Sequence, residues 1–248
     1  MEQYRWNAEQ LACGYDSAAQ HIHPYYEEIQ AKILELIEHL GSDITVVDAG
    51  GGSGRFIEMF LSKFPLSRAV LVDQSKPFVH LARKRLQRFG RRTICHVAKL
   101  QDDWFSLVEQ PSAIVSMSAI HHLEPDEKRR FYEQSFSALA DGGILVNGDE
   151  IRSKDDAAYL EQCKAWASHM HKVMDQGLVP ESMCQALLDW EERNVGDFDG
   201  SRSSGDDCHE TAEAQCRYLA SAGFASVTVP WKKEMWAILE AVKAPNKQ

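Results

Sequence analysis

Ile44-Thr45-Val46-Val47-Asp48-Ala49-Gly50-Gly51-Gly52-Ser53-Gly54 couples a β-branched apolar run to a glycine-rich turn. Branching at Cβ favours extended backbone, so residues 44–47 predict a short buried strand. Glycine accepts positive φ and carries no Cβ, so Gly50, Gly52 and Gly54 let the chain reverse tightly and pass close to a ligand. Helical apolar spacing resumes over 56–63 and stops before Pro65. Strand, glycine turn and helix in that order open an α/β sheet.

The unit repeats on the C-terminal side. Residues 69–73 predict a strand, 77–89 a helix, 93–97 and 113–117 two more strands, 126–139 a helix, and 144–147 a fifth strand after the Asp141-Gly142-Gly143 turn. Such alternation implies a parallel sheet. Upstream, Tyr26, Ile29, Ile33, Leu36, Ile37 and Leu40 fall at helical spacing over 24–40, with Gly41 suited to the helix end. Beyond Asp149 the alternation breaks into two consecutive helices, 155–176 and 181–194, and a polar loop, 196–207, whose glycines and charges suit a mobile lid. A helix over 211–221, a turn at Gly223 and strands over 226–231 and 235–242 complete the chain. The expected organisation is one domain: an N-terminal helical arm (1–41), a core (42–150), a helical insertion and lid (151–210), and a C-terminal helix and strand pair (211–248).

The 248 residues suffice for one substantial core, and no apolar run approaches the roughly 20 residues of a membrane helix. The first residues lack the basic start and apolar stretch of a signal peptide, so a cytoplasmic location is expected. A net charge of -10 disfavours nucleic acid as a partner, because phosphate backbones are bound by cationic neutralisation. Arg83-Lys84-Arg85, Arg88, Arg91 and Arg92 are a basic patch that reads as a solvated helix face. Six cysteines without a C-x-x-C pair argue against a disulfide framework and a zinc ribbon. Cys208-His209-Glu210 and Cys216, with Cys163 and Cys184 in the same region, have no zinc-finger spacing, so no metal is expected. Monomer and homodimer both remain open.

The glycines run G-x-G-x-G, not the G-x-G-x-x-G of dinucleotide enzymes, and no Gly-Lys-Ser/Thr is present for a nucleoside triphosphate. Asp48 ends the first strand; Asp73, 25 residues on, ends the second, where a carboxylate accepts hydrogen bonds from a ribose diol. Competing readings make Asp48 a cap on local amides and Asp73 a helix N-cap. Further on come Ser116-Met117-Ser118-Ala119-Ile120-His121-His122-Leu123 and Leu139-Ala140-Asp141-Gly142-Gly143-Ile144-Leu145. In these motifs and their order, from about residue 44 to 149, the sequence resembles the class I (Rossmann-like) methyltransferases dependent on S-adenosylmethionine (SAM), in their small-molecule branch.

That resemblance implies a three-layer α/β fold with a seven-stranded sheet, mostly parallel with the last strand antiparallel. It also implies SAM as cofactor and S-adenosylhomocysteine as product. Carried onto this chain, Asp48, Gly50 and Gly52 would contact the amino-acid end of SAM, and Asp73 with Gln74 the ribose and adenine edge. Leu100, Gln101 and Asp102 would flank the adenine, and Ser118 would face the cofactor. Asp102 and Asp103 lie a few residues later than the family's usual acidic residue. Tyr15-Asp16 resembles a Tyr-Asp pair on an arm that folds over the cofactor, giving Tyr15 a place in the site.

Methyl transfer from a sulfonium is an in-line displacement that needs alignment and exclusion of water; a base matters only when the nucleophile carries a proton. Candidate catalytic groups are His121 and His122 after the fourth strand and Glu150 after the fifth, since open α/β sheets bind ligands at the carboxyl ends of strands. Asp149 and, on the insertion, Trp166 and His169 are candidates for the substrate. The plain readings are a structural part of the fold for His121 and His122, surface carboxylates at a strand end for Asp149 and Glu150, and a satisfied helix histidine for His169. Residues 151–210 carry thirteen acidic and six basic residues, which would favour a cationic or neutral acceptor. The expected partner is therefore a small-molecule substrate. Alternatives are a tRNA wobble-uridine modifier using a carboxylated SAM derivative, and a SAM-binding protein without catalysis.

Overall fold

The computed structural model describes residues 4–245. Strands β1 (Thr45–Ala49), β2 (Arg68–Asp73), β3 (Thr93–Val97), β4 (Ala113–Met117), β5 (Ile144–Glu150), β8 (Ser226–Lys233) and β9 (Trp236–Val242) form one sheet in the order β3-β2-β1-β4-β5-β9-β8. All neighbours run parallel except β9, which is antiparallel to both β5 and β8. Two short strands, β6 (Ser203–Ser204) and β7 (Asp207–Cys208), make a separate ribbon inside the polar loop.

Side chains alternate across a strand, and here both faces are covered. Val46, Leu71, Val115 and Val146 point into one apolar layer, with helices α1 (Glu9–Ile22), α2 (Tyr26–Glu38), α3 (Arg55–Lys63) and α4 (Lys76–Leu86). Val47, Val72, Ile114 and Leu145 point into the other, with α5 (Pro125–Ala138) and α8 (Ala212–Ala222). The insertion helices α6 (Asp156–Asp175) and α7 (Glu181–Glu191) join the first layer. Among the described residues no helix is long and apolar enough to cross a membrane.

Several boundaries differ from expectation, and two have a clear cause. Strand β5 runs on to Glu150 instead of stopping at Asn147, because β9 continues to pair with it, Asp149 opposite Ala237 and Glu150 opposite Trp236. Helix α4 ends at Leu86, and residues 87–92 tighten into a 3-10 turn broken by Gly90 at φ 57°. Loop 196–207 is not wholly irregular: its end pairs as β6 and β7 and carries Asp207 into the interior.

Candidate active site

Strand order reverses between β1 and β4, which opens a crevice beyond their carboxyl ends. One chamber occupies it, with about 1430 Å³ of empty space, its open mouth included. Gly50 and Gly52 have φ of 74° and 53°. A Cβ on Gly50 would stand 2.4 Å from the Cβ of Ala119, whereas one on Gly52 would meet nothing within 4 Å. Gly50 thus permits the packing of the β1 turn on the β4 turn, and Gly52 leaves free space at the chamber wall.

Asp73 accepts the Gly52 N–H at 2.9 Å and the Ser75 N–H at 2.7 Å, one on each carboxylate oxygen. Ser75, not Asp73, caps α4, accepting the Phe78 N–H at 3.2 Å. Each Asp73 oxygen keeps a second lone pair for another donor. Burial, and then the nearby Asp73, push Asp48 up to about 7; burial raises Asp73 to about 6 against the pull of its two amide donors. A cation at this end would relieve both carboxylates. Gln74, Leu100, Gln101 and Ser118 line the same half. Ser118 is held at φ 48°, and its buried Oγ has no hydrogen-bond partner among the described residues. A non-glycine residue in that conformation stores strain, which marks functional turns.

Helix α1 closes over the glycine turn. Asp16 accepts from Ser53 Oγ at 2.5 Å and pairs with Arg55 at 3.1 Å and Arg85 at 2.9 Å. Arg85 leaves the solvated basic face expected of residues 83–92 and turns inward to this carboxylate. Tyr15 lies on the chamber side, its hydroxyl 2.9 Å from His23 Nε2.

The far half of the chamber is lined by Trp166, Met170, Met183, Leu187 and Trp190 from α6 and α7 and floored by His121 and Glu150. Trp166 packs its ring 4.3 Å from Trp190 and 5.6 Å from His23, and its Nε1–H donates to the Ile22 carbonyl at the end of α1. The insertion's acidic excess is mostly exposed on the outer helix faces, and Asp207 and Glu210 are its buried carboxylates. The wall of this half is therefore apolar, contrary to the acidic wall expected from composition.

Beneath it, Glu150 Oε2 stands 3.2 Å from His209 Nε2 and 3.7 Å from His121 Nε2. His121 Nδ1 is 2.7 Å from Asp149 Oδ1, and His122 Nδ1 is 3.2 Å from Asp207 Oδ1. Burial works against a charged imidazole at His121, yet Glu150, Asp149 and Asp207 outweigh it and carry it up to about 9. Burial likewise opposes a charged Glu150, but His121, His209 and His23 hold it down to about 2. Asp149 and Glu150 are 0% and 2% exposed, so neither is a surface carboxylate.

Of the residues expected in the site, His121, His122, Glu150, Asp48, Gly50, Gly52, Asp73, Gln74, Leu100, Gln101, Ser118, Tyr15 and Trp166 all line the chamber. Three do not. Asp102 is exposed, turned outward by the bend in which its N–H meets the Lys99 carbonyl. Asp149 lies behind His121, its other oxygen without a hydrogen-bond partner. His169 faces α1, where Nε2 meets the His21 carbonyl at 2.7 Å, a free C=O of the helix end. Sequence reasoning missed His23, Asp207 and His209 as parts of this floor. His209 stood out only as a neighbour of cysteines, and nothing in the sequence announces that it meets Glu150, 59 residues earlier, beside His121.

Residues 47–145 match a family model described as a methyltransferase domain. The ribosomal RNA small subunit methyltransferase H of Corynebacterium glutamicum is 36% identical over 74 residues, 30% of this chain and 22% of that protein, so the chain spans about a fifth of that relative's length. A carboxy-S-adenosyl-L-methionine synthase of Campylobacter fetus is 24% identical over 165 residues, 66% of this chain and 69% of that one. Among solved structures, an O-methyltransferase family protein from Burkholderia thailandensis superposes with a TM-score of 0.65 at 13% identity, over 93% of this chain and 59% of that one. The sheet order and the glycine turn followed by Asp73 agree with the matched domain that lies over both, so residues 47–145 carry a methyltransferase domain of the class I, SAM-dependent kind.

Proposed function

We propose that the protein transfers the methyl group of SAM to a small-molecule acceptor and releases S-adenosylhomocysteine. The observation that carries this reading is the continuity of the chamber from the Gly50–Gly52 turn and Asp73 to the apolar wall of α6 and α7 over Glu150. In it, Asp48 and the glycine turn hold the amino-acid end of SAM, Asp73 and Gln74 the ribose and adenine edge, and Leu100 and Gln101 the adenine. Ser118, in the same half, faces the cofactor.

Such a chamber accelerates methyl transfer by alignment. Donor carbon and nucleophile meet in line, and the tryptophans and methionines keep water away from the sulfonium. Glu150, held ionised, orients an acceptor N–H or O–H, and a negative floor suits a neutral or cationic acceptor. A carboxylated SAM derivative would bring a second negative group beside Glu150 and Asp207, which argues against wobble-uridine modification; the net charge of -10 argues against any nucleic-acid acceptor. We assign the insertion, residues 151–210, to the acceptor wall. Calorimetry should show SAM binding to the folded protein, and a pooled-metabolite assay should show S-adenosylhomocysteine forming with one acceptor class. Folded protein that fails to bind SAM overturns the reading; binding without turnover on any pool leaves the non-catalytic alternative in its place.

A further inference from the structure

The floor of the acceptor half has a structure of its own. His121, Glu150 and His209 are all buried and present ligand atoms within 4.8 Å of one another. Two carboxylates, Asp149 and Glu150, are buried here with histidines as their ion-pair partners. Buried charge of this kind is costly unless fully compensated. The compensation is incomplete: the second oxygen of Asp149 has no hydrogen-bond partner among the described residues, and neither does Nδ1 of His23, 5% exposed and 3.6 Å from Glu150 Oε1.

The outer partners of the two histidines fix which nitrogen faces the centre. His121 Nδ1 meets the Asp149 carboxylate, an acceptor, so Nδ1 keeps its proton, and Nε2, turned to Glu150, is the nitrogen that would release one to bind an ion. His209 Nδ1 is 2.5 Å from the Tyr159 oxygen, a hydroxyl that can accept from Nδ1–H once Nε2 gives up its own proton to a bound ion. His209 Nε2 is likewise turned to Glu150. A carboxylate or hydroxyl behind each imidazole is the arrangement that orients metal-ligating histidines. The spacing agrees: Nε2 to Oε2 separations of 3.2 and 3.7 Å bracket the edge of about 3.3 Å expected for a tetrahedron whose metal–ligand bonds are about 2.0–2.1 Å.

We propose that His121 Nε2, His209 Nε2 and Glu150 form a site for one divalent transition-metal ion, of the kind that takes imidazole and carboxylate together, such as zinc or iron(II). Three protein ligands leave a coordination position open, the pattern of a reactive site and not of a structural one. His121 and Glu150 both line the chamber, so that position faces its acceptor half. On the methyltransferase reading above, the ion would then touch the acceptor and not the cofactor. Cysteines take no part, which is why their spacing predicted no metal.

The test uses the full-length protein, stripped with a chelator and titrated with zinc by calorimetry and with cobalt(II) by visible absorption. One equivalent should bind, with cobalt bands of a low-coordinate imidazole–carboxylate site. Glu150→Gln and His209→Ala should each weaken binding at least 100-fold, Asp149→Asn 10- to 100-fold through misorientation of His121, and His171→Ala, altering the half-exposed His171–Glu191 pair, should leave it unchanged. Circular dichroism reports whether each variant is folded, and SAM calorimetry on the same samples tests the methyltransferase reading separately. Wild-type protein that binds no zinc or cobalt overturns the proposal whatever the variants do. So does binding that survives in both folded Glu150→Gln and His209→Ala. Metal binding by a protein that fails to bind SAM would uphold the site while removing the proposed function.

Discussion

The two halves of the chamber are built from different materials. The half beside Gly50 and Asp73 is largely backbone and short polar side chains set by the turns after β1, β2 and β4. The half beside Trp166 and Glu150 is side chains from α1, α6, α7, β5, β7 and the segment after β4, gathered by tertiary packing. Backbone geometry suits a ligand that is always the same. Side-chain walls are replaceable without disturbing the sheet, as suits whatever distinguishes one acceptor from another. Substitutions on the two sides should therefore fail in different ways.

The largest expected effect is on the acceptor side. Trp166→Ala removes a buried ring that touches His23, Trp190 and Trp236, and should cost about 3–5 kcal/mol in denaturant unfolding. SAM affinity of the fraction that stays folded should change by less than about threefold, since separate sites act independently; a large loss would mean that the halves are coupled. Gly50→Ala attacks the other side. Its Cβ would overlap Ala119 and its φ is positive, so about 2–3 kcal/mol of stability and most SAM binding should go together. Gly52→Ala, with open space around its Cβ, should lose binding with a smaller change in melting temperature.

Asp73→Ala should weaken SAM by about 1–3 kcal/mol in calorimetry; an unchanged affinity would confine Asp73 to anchoring the Gly52 and Ser75 amides. The pH dependence sharpens the same point. Asp48 and Asp73 are raised in the folded protein, so without ligand their contribution to stability is greatest below pH 4 and is lost as pH rises toward 7. Cationic SAM prefers the ionised carboxylates, so its affinity should rise with pH and level off above about 7, by up to about tenfold per pH unit below that. A flat profile between pH 5.5 and 8 would remove Asp48 from the SAM contacts. The smallest effect is expected at His169→Ala, which frees the His21 carbonyl and should cost about 1 kcal/mol without altering the Michaelis constant for the acceptor. A raised Michaelis constant would return His169 to the acceptor wall.

Most of the sheet was legible because its signals are local. Strand β3 and strand β4 fall where their β-branched runs predict, and the turn expected at Gly223 ends α8, with that glycine in the left-handed conformation. Strand β5 was read three residues short because Asn147-Gly148-Asp149-Glu150 is polar; only its pairing with β9 holds it extended and buried. Loop 196–207 looked wholly mobile because nothing local announces that Arg5, from the other end of the chain, pairs with Asp206 at 3.1 Å and Asp207 at 3.3 Å.

By itself, then, the sequence determined the α/β alternation, the glycine turn with Asp48 and Asp73, and through them the class of cofactor, because each depends on neighbours in the chain and on the backbone freedom of single residues. Only the tertiary structure decided the other half of the chamber. Composition gave an acidic insertion, but folding turned most of those charges outward and lined the chamber with tryptophan and methionine. It also brought His23, His121, Glu150 and His209 together from four separate segments. Burial and the direction of an imidazole nitrogen are properties of packing, and no spacing along the chain encodes them.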